Sequence, residues 1–239
     1  TAMERLSSGK RINGAKDDSA GLAIASSMTS SIRGMGAAIR NANDGISMLQ
    51  TAEGATNEIT NMLQRMRELA LQAANGTYSS ADRTSLNSEY SALKDEIVRV
   101  SAKTTWNGME IVGSAATSYQ LQVGADSGAT MTISFTDIYI ANSTVASAAS
   151  IGVGTAASAA TAITALDAAI SVIDTYRSEL GATINRLQYT TDNLTNVSTN
   201  TAASRSRIMD TDYAQTTTEL AKRQIIQQAA TAMLAQANQ

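Results

Sequence analysis

The sequence predicts a mainly α protein with a small β region, an elongated antiparallel helical bundle or coiled coil capped by β-hairpins. Three observations carry this. Residues 163 to 208 hold a heptad register: Ile163, Leu166, Ile170, Ile173, Arg177, Leu180, Ile184, Leu187, Thr191, Leu194, Ser198, Thr201, Arg205 and Ile208. Alternating steps of three and four put one narrow apolar seam along a helix, which then needs a partner helix. At 1.5 Å per residue that stretch is about 70 Å long. Proline is absent from all 239 residues, so nothing interrupts long helices. Between the helical stretches the apolar period falls to two, in residues 106 to 135.

The first helical stretch runs to about Lys103. Ile39, Ala42, Ile46 and Leu49 share a face; after a phase break near Glu53, so do Ile59, Leu63, Met66, Ala70 and Ala73. Asn75-Gly76 stops that helix. Ser79-Ser80-Ala81-Asp82 starts the next, with its seam on Leu86, Tyr90, Leu93, Ile97 and Val100. Asn107-Gly108 between Trp106 and Met109 is a hairpin turn signal. Tyr119, Leu121 and Val123 alternate, as do Met131, Ile133 and Phe135, across the turn-rich Gly124 to Gly128. Residues 141 to 160 are Ala, Ser, Thr and Gly with little apolar mass, and read as a linker, with Gly152-Val153-Gly154 flexible within it. Asp210-Thr211-Asp212 breaks and recaps the long helix, and a last amphipathic helix follows with Leu220, Ile225, Ala229 and Met233. The chain thus divides into an N-terminal helical segment 1–103, a β-hairpin region 104–140, a variable surface linker 141–160 and a C-terminal helical segment 161–239 that packs on the first.

Composition excludes much chemistry. The chain has no histidine and no cysteine, which removes the commonest general base, every Ser-His or Cys-His pair, disulfides and nearly all zinc sites. Ser7 to Lys10 and Ser91 to Lys94 match S-x-x-K but lack the companion elements that motif needs, and Thr191-Asp192-Asn193 is only an echo of one. Gly9-Lys10 lacks the glycine of a phosphate loop. Asp17-Asp18 lack spaced oxygen ligands for calcium and read as a solvated helix start. The sequence therefore reads as no enzyme and holds no cofactor or metal. A net charge of −3 offers no basic patch for nucleic acid or anionic lipid. No apolar run approaches ~18 residues, so no membrane span is expected. The start at Thr1 rather than Met reads as a fragment or a processed product.

Three segments resemble bacterial flagellin. One is Glu4-Arg5-Leu6-Ser7-Ser8-Gly9-Lys10-Arg11-Ile12-Asn13, continuing through Lys16-Asp17-Asp18-Ser19-Ala20-Gly21-Leu22-Ala23-Ile24. Another is Asn41-Ala42-Asn43-Asp44-Gly45-Ile46-Ser47 with Leu63-Gln64-Arg65-Met66-Arg67-Glu68-Leu69-Ala70. The third is Ser204-Arg205-Ser206-Arg207-Ile208-Met209-Asp210-Thr211-Asp212-Tyr213-Ala214, ending Leu234-Ala235-Gln236-Ala237-Asn238-Gln239. The resemblance implies an extracellular filament subunit of the flagellum. It would be exported by the flagellar secretion system, self-assemble through its helical termini and drive swimming motility. It implies, as partners, other flagellin subunits, an export chaperone and a cap protein. The family's termini extend past both ends, so the chain looks clipped, and its variable region looks very short.

Family members similar to this chain are recognised by Toll-like receptor 5. The matching positions are Arg65, Leu69 and Glu89; Arg65, Leu69 and Gln72 share a stripe beside the core seam and are expected, with Glu89, to form one exposed patch. From the residues alone the opposite reading stands beside it: Leu69 flanks the core and Arg65 pairs with a carboxylate. Ser143, Thr144, Ser147, Ser150, Thr155 and Ser158 are candidate O-glycosylation sites, because they fall where the family's outer region lies. Two alternatives compete: the hook–filament junction protein of the same family, and a chemoreceptor-type signalling hairpin, against which the β signals argue.

Overall fold

A computed structural model of the chain describes residues 2–113, 117–136, 138 and 144–237. Six helices and four short strands appear among them. They are α1 (Ala2–Ser8), α2 (Ser19–Ala74), α3 (Ser80–Lys103), β1 (Thr105–Trp106), β2 (Met109–Glu110), β3 (Thr117–Gln122), β4 (Thr130–Phe135), α4 (Thr144–Ser150), α5 (Ala156–Met209) and α6 (Tyr213–Ala237). The mainly α class with a small antiparallel β region is as expected. The phase break near Glu53 does not interrupt α2, which is continuous over 56 residues.

Local chemistry sets the element ends. The Asp18 carboxylate accepts from the Gly21 amide at 2.8 Å and so caps α2. Ser79 and Asp82 form a reciprocal capping box on α3. Thr155 and Ser158 do the same for α5, each hydroxyl accepting the other's amide at 3.2 Å. Asp212 accepts from the amides of Ala214 and Gln215 and starts α6. Asn107 and Gly108 both take positive φ, 47° and 77°, as a two-residue hairpin turn demands, and join β1 to β2 antiparallel.

The chain forms two compact units. Unit 1 comprises Thr1–Ala38, Gly124–Ser127 and Asn193–Gln239; unit 2 comprises Ile39–Val123 and Gly128–Asp192. α2 and α5 contribute to both. In unit 1 the Arg205 guanidinium donates to the Thr29 hydroxyl, and in unit 2 Arg67 pairs with Asp167. Within unit 1 the partner number falls from Met209 at Arg11 to Arg205 at Thr29, so the two segments run antiparallel there. Also in unit 1, Lys10 bridges Asp210, the Arg11 amide donates to the Met209 carbonyl, and α1 packs with α6, so the segments near the two termini meet.

Unit 2 holds nearly the whole apolar core. Leu49, Ile59, Leu63, Met66, Tyr90, Ile97, Leu166, Ile173, Leu180 and Leu187 are 0–1% exposed. The seam of α5 is rotated from the expected one. Leu166, Ile173, Leu180 and Leu187 are buried as read, but the alternate positions are Ala162, Ala169 and Tyr176, with Ile163, Ile170 and Ile184 only partly covered. β3 and β4 pair over six residues, Thr117 with Phe135 to Gln122 with Thr130. The Asn41 amide donates to the Gln122 carbonyl, which lays the hairpin along α2. A Cβ at Gly45 would sit 3.0 Å from Leu121, and one at Gly34 2.9 Å from Ala125, so glycine sets these approaches.

Two expectations fail here. Residues 144–160 are not a linker of little apolar mass: Val145, Ala146, Ala148, Ala149, Val153 and Ala159 are all buried. The Tyr90 hydroxyl donates to the Ala148 carbonyl at 2.9 Å, and the Asn87 side chain accepts the Val153 amide, fixing the supposedly flexible Gly152-Val153-Gly154. Alanine carries little area, but its small side chain lets α4 approach closely. In addition, α5 contains a stretch of mean hydropathy 1.6, long and apolar enough to cross a membrane, where none was expected. Within that stretch Ala159, Ala162, Leu166, Ala169 and Ile173 are buried in the protein core, 28% of it.

Candidate functional site

The residues singled out from sequence fall on two surfaces, and a third emerges only from the structure. The first surface spans α2 and α3. Helix spacing puts Arg65, Glu68 and Gln72 on one outer stripe of α2, each three or four residues from the next. Glu89 reaches it from α3. The Arg65 guanidinium donates to Glu68 at 2.9 Å and to Glu89 through two nitrogens at 3.0 and 2.9 Å. These contacts, Glu68 first and then Glu89, raise the Arg65 pKa above its ordinary value. Arg65 and Glu89 remain about half exposed, and Gln72 is exposed. The arrangement is a charged, hydrogen-bonding ridge.

Leu69 does not join that ridge. It is 0% exposed and belongs to the core. The reason is the width of the buried arc. Leu63, Met66, Leu69, Ala70 and Ala73 are all fully covered, so α2 buries a broad arc in place of the narrow seam from which Leu69 was placed outside. Leu71, in contrast, is 48% exposed, and no helix-period argument had singled it out.

The second surface is α4 and the turn after it. Thr144, Ser147 and Ser150 are exposed in one row at i, i+3 and i+6, because Val145, Ala146, Ala148 and Ala149 face inward. Ser150 returns its hydroxyl to the Ala146 carbonyl. Thr155 and Ser158 are occupied in capping α5. Ser143 lies outside the described residues.

The third set is of exposed apolar side chains and lies in unit 1. Met3, Ile24, Val197, Tyr213, Ile225, Ile226, Met233 and Leu234 are 44–72% exposed. Buried apolar side chains there are Ile12, Ala25, Met35 and Ala38 among the described residues. Sequence periodicity marked Ile225 and Met233 as one face of a helix, but not that both side chains stay largely exposed. No cluster of acidic residues able to hold a metal occurs among the described residues.

Comparison with known proteins places these surfaces in context. Residues 1–117 match the family model for the bacterial flagellin N-terminal helical region, and 163–239 the one for the C-terminal helical region. A flagellin of Halalkalibacterium halodurans is 45% identical over all of this chain and 87% of its own length. The crystal structure of a Bacillus cereus flagellin superposes with a TM-score of 0.60 at 38% identity, covering 70% of this chain and 94% of that one. A chain described as a flagellar hook-associated protein of Vibrio parahaemolyticus shares the fold, with TM-score 0.66 over 81% of this chain and all of its own, at 15% identity.

Proposed function

This chain belongs to the bacterial flagellin family, and on that premise we propose that it is the structural subunit of an extracellular flagellar filament, assembled by packing the helices of unit 1 against neighbouring copies. The observation that carries this reading is the exposed apolar side chains of unit 1. Among the described residues unit 1 exposes eight large apolar side chains and unit 2 four, and apolar side chains gathered at a surface mark an interaction site. The chain has no histidine and no cysteine, so no Ser-His or Cys-His pair can form. Motility, export by the flagellar secretion system, an export chaperone and a cap protein follow from the family reading. The hook–filament junction protein is the weaker alternative, because the similarity to the hook-associated chain is one of fold. Electron microscopy of the chain seeded with sheared filament fragments tests the proposal: helical filaments are expected, and soluble chain beside unextended seeds overturns it.

The α2–α3 ridge favours one further reading within this function, recognition by Toll-like receptor 5. Arg65 offers a fork of donors, Glu89 an acceptor and Gln72 both, on two adjacent helices and in reach of a partner. Leu69 supports the ridge from below. Arg65→Ala is expected to weaken receptor binding by on the order of 2 kcal/mol, as for a hot spot. Its melting should barely change, because exposed ion pairs contribute little. Arg207→Ala should leave receptor activation intact. Normal signalling by an Arg65/Glu89 double variant would remove the assignment.

A further inference from the structure

Charge is unevenly divided between the two units. In unit 1 nine Lys and Arg face seven Asp and Glu, and in unit 2 nine face fourteen. The excess of each sign gathers on a surface of its own. In unit 1 a groove of about 440 Å³ runs beside one face of α2, over Leu22, Ala25, Ser26, Thr29 and Arg33. Lys10 and Arg205 also line it, giving three cations. Its one carboxylate, Asp210, already accepts the Ser206 hydroxyl at 2.6 Å. No ion pair to Lys10, Arg33 or Arg205 occurs among the described residues. The floor, Leu22 and Ala25, is apolar.

In unit 2 one outward face of α5 has the opposite character. Asp167, Ile170, Ser171, Asp174, Thr175, Ser178 and Glu179 line a shallow surface with three carboxylates and no cation. Their spacing, i, i+3, i+4, i+7, i+8, i+11 and i+12, is that of a single helix face. Asp167 is engaged by Arg67. Asp174 and Glu179 have no ion pair among the described residues. The Ser and Thr between them are small enough for a close approach. The two surfaces also match in length: residues 22–33 of α2 span about 17 Å and residues 167–179 of α5 about 18 Å at 1.5 Å per residue.

We propose that the Lys10–Arg33–Arg205 groove of one copy receives the Asp174–Glu179 face of α5 from a second copy of this chain. The occupant follows from complementarity of sign, shape and length, with an apolar floor beneath the polar rim. The proposal rests on the filament reading and names one contact within it. Such a contact sets orientation and speeds encounter more than it adds affinity, so it weakens with salt.

The test mixes ¹⁴N- and ¹⁵N-labelled wild-type chain with filament seeds at low salt and couples amines to carboxylates with a zero-length carbodiimide. Mass spectrometry of mixed-isotope peptides should find Lys10 joined to Asp174 or Glu179 of the other copy. In parallel, Lys10→Glu with Arg33→Glu should slow seeded growth at least tenfold. Adding Asp174→Lys and Glu179→Lys to that same chain should restore growth to within about threefold of wild type. Circular dichroism of each variant controls for folding, and the restored variant guards against a trivial loss of structure. Filaments that grow without the Lys10 crosslink, or charge reversal that leaves growth unchanged, overturn the contact and leave the filament reading standing. The crosslink without filaments supports the contact and removes the filament reading. Absence of both removes both.

Discussion

Units 1 and 2 are built on the same two long helices, yet they complete them differently. In unit 2 the α5 register carries Leu166, Ile173, Leu180 and Leu187, each at most 1% exposed. Continued into unit 1, the register meets Leu194, Ser198, Thr201 and Arg205, all only half-buried. The periodicity is the same, and the difference lies in what covers it. Unit 2 adds α3, α4 and most of the β residues as further layers. Unit 1 adds α1 and α6, and α6 leaves Ile225, Ile226, Met233 and Leu234 exposed. A heptad pattern therefore specifies that a helix needs partners but not whether its own chain provides them. Unit 2 provides its own, whereas unit 1 leaves Ile225, Ile226, Met233 and Leu234 uncovered.

The strongest way to break this comparison is to remove a covering layer. Exchanging residues 144–153 for a Gly/Ser linker of equal length uncovers Val145, Ala146, Ala148, Ala149 and Val153. At ~0.8 kcal/mol per buried carbon the loss should be on the order of 7 kcal/mol in a urea titration. The matching change in unit 1, serine at Ile225, Ile226, Met233 and Leu234, should leave the free chain's midpoint nearly unmoved and abolish seeded growth. If both exchanges cost the same in the free chain, the contrast between units is false.

Single truncations sharpen it. Leu166→Ala or Ile173→Ala should cost about 2–5 kcal/mol, whereas Ile24→Ala in unit 1 should stay within ~0.5 kcal/mol. Alkaline pH reads the same contrast. Burial pushes the hydroxyls of Tyr90 and Tyr176, both in unit 2, up to about 12 from the ordinary 10.0. The unfolded chain then loses these protons before the folded one does. Stability is intact below pH 10 and falls as pH rises toward 12. A Tyr176→Phe variant should lose less stability over that interval than wild type, and an unchanged slope would show that the hydroxyl is not sheltered. Ser79→Ala, which removes the capping box of α3, should cost ~1 kcal/mol.

Legibility in the sequence followed the range of each signal. Much short-range chemistry was readable: the cap region Ser79 to Asp82, the Asn107-Gly108 turn and the Asp210–Asp212 break need only their neighbours, although the Thr155–Ser158 cap was passed over. The helical seams were readable to within one position. Leu166 and Ile173 were placed correctly, but Ala162 and Ala169 were passed over because periodicity weights large side chains. Leu69 failed for a related reason, since the width of a buried arc depends on how many elements pack there. That Arg65 pairs with a carboxylate was legible from the residues, but the Arg65–Glu89 pair joins two helices and required the fold. Residues 144–153 were misjudged by composition, because alanine contributes little area yet decides how closely two helices approach. The groove beside Lys10, Arg33 and Arg205 had no sequence signature, since its walls come from segments more than 170 residues apart.

Hydrogen exchange read by mass spectrometry, on the free chain and on seeded filaments, tests the central claim most directly. In the free chain, amides of α2 and α5 within unit 2 should exchange with the protection of global unfolding, while those of α1, α6 and the unit 1 part of α5 exchange far faster. On assembly, protection in unit 1 should rise to the level of unit 2. Equal protection of both units in the free chain, or unit 1 amides that stay fast in assembled filaments, would contradict the account.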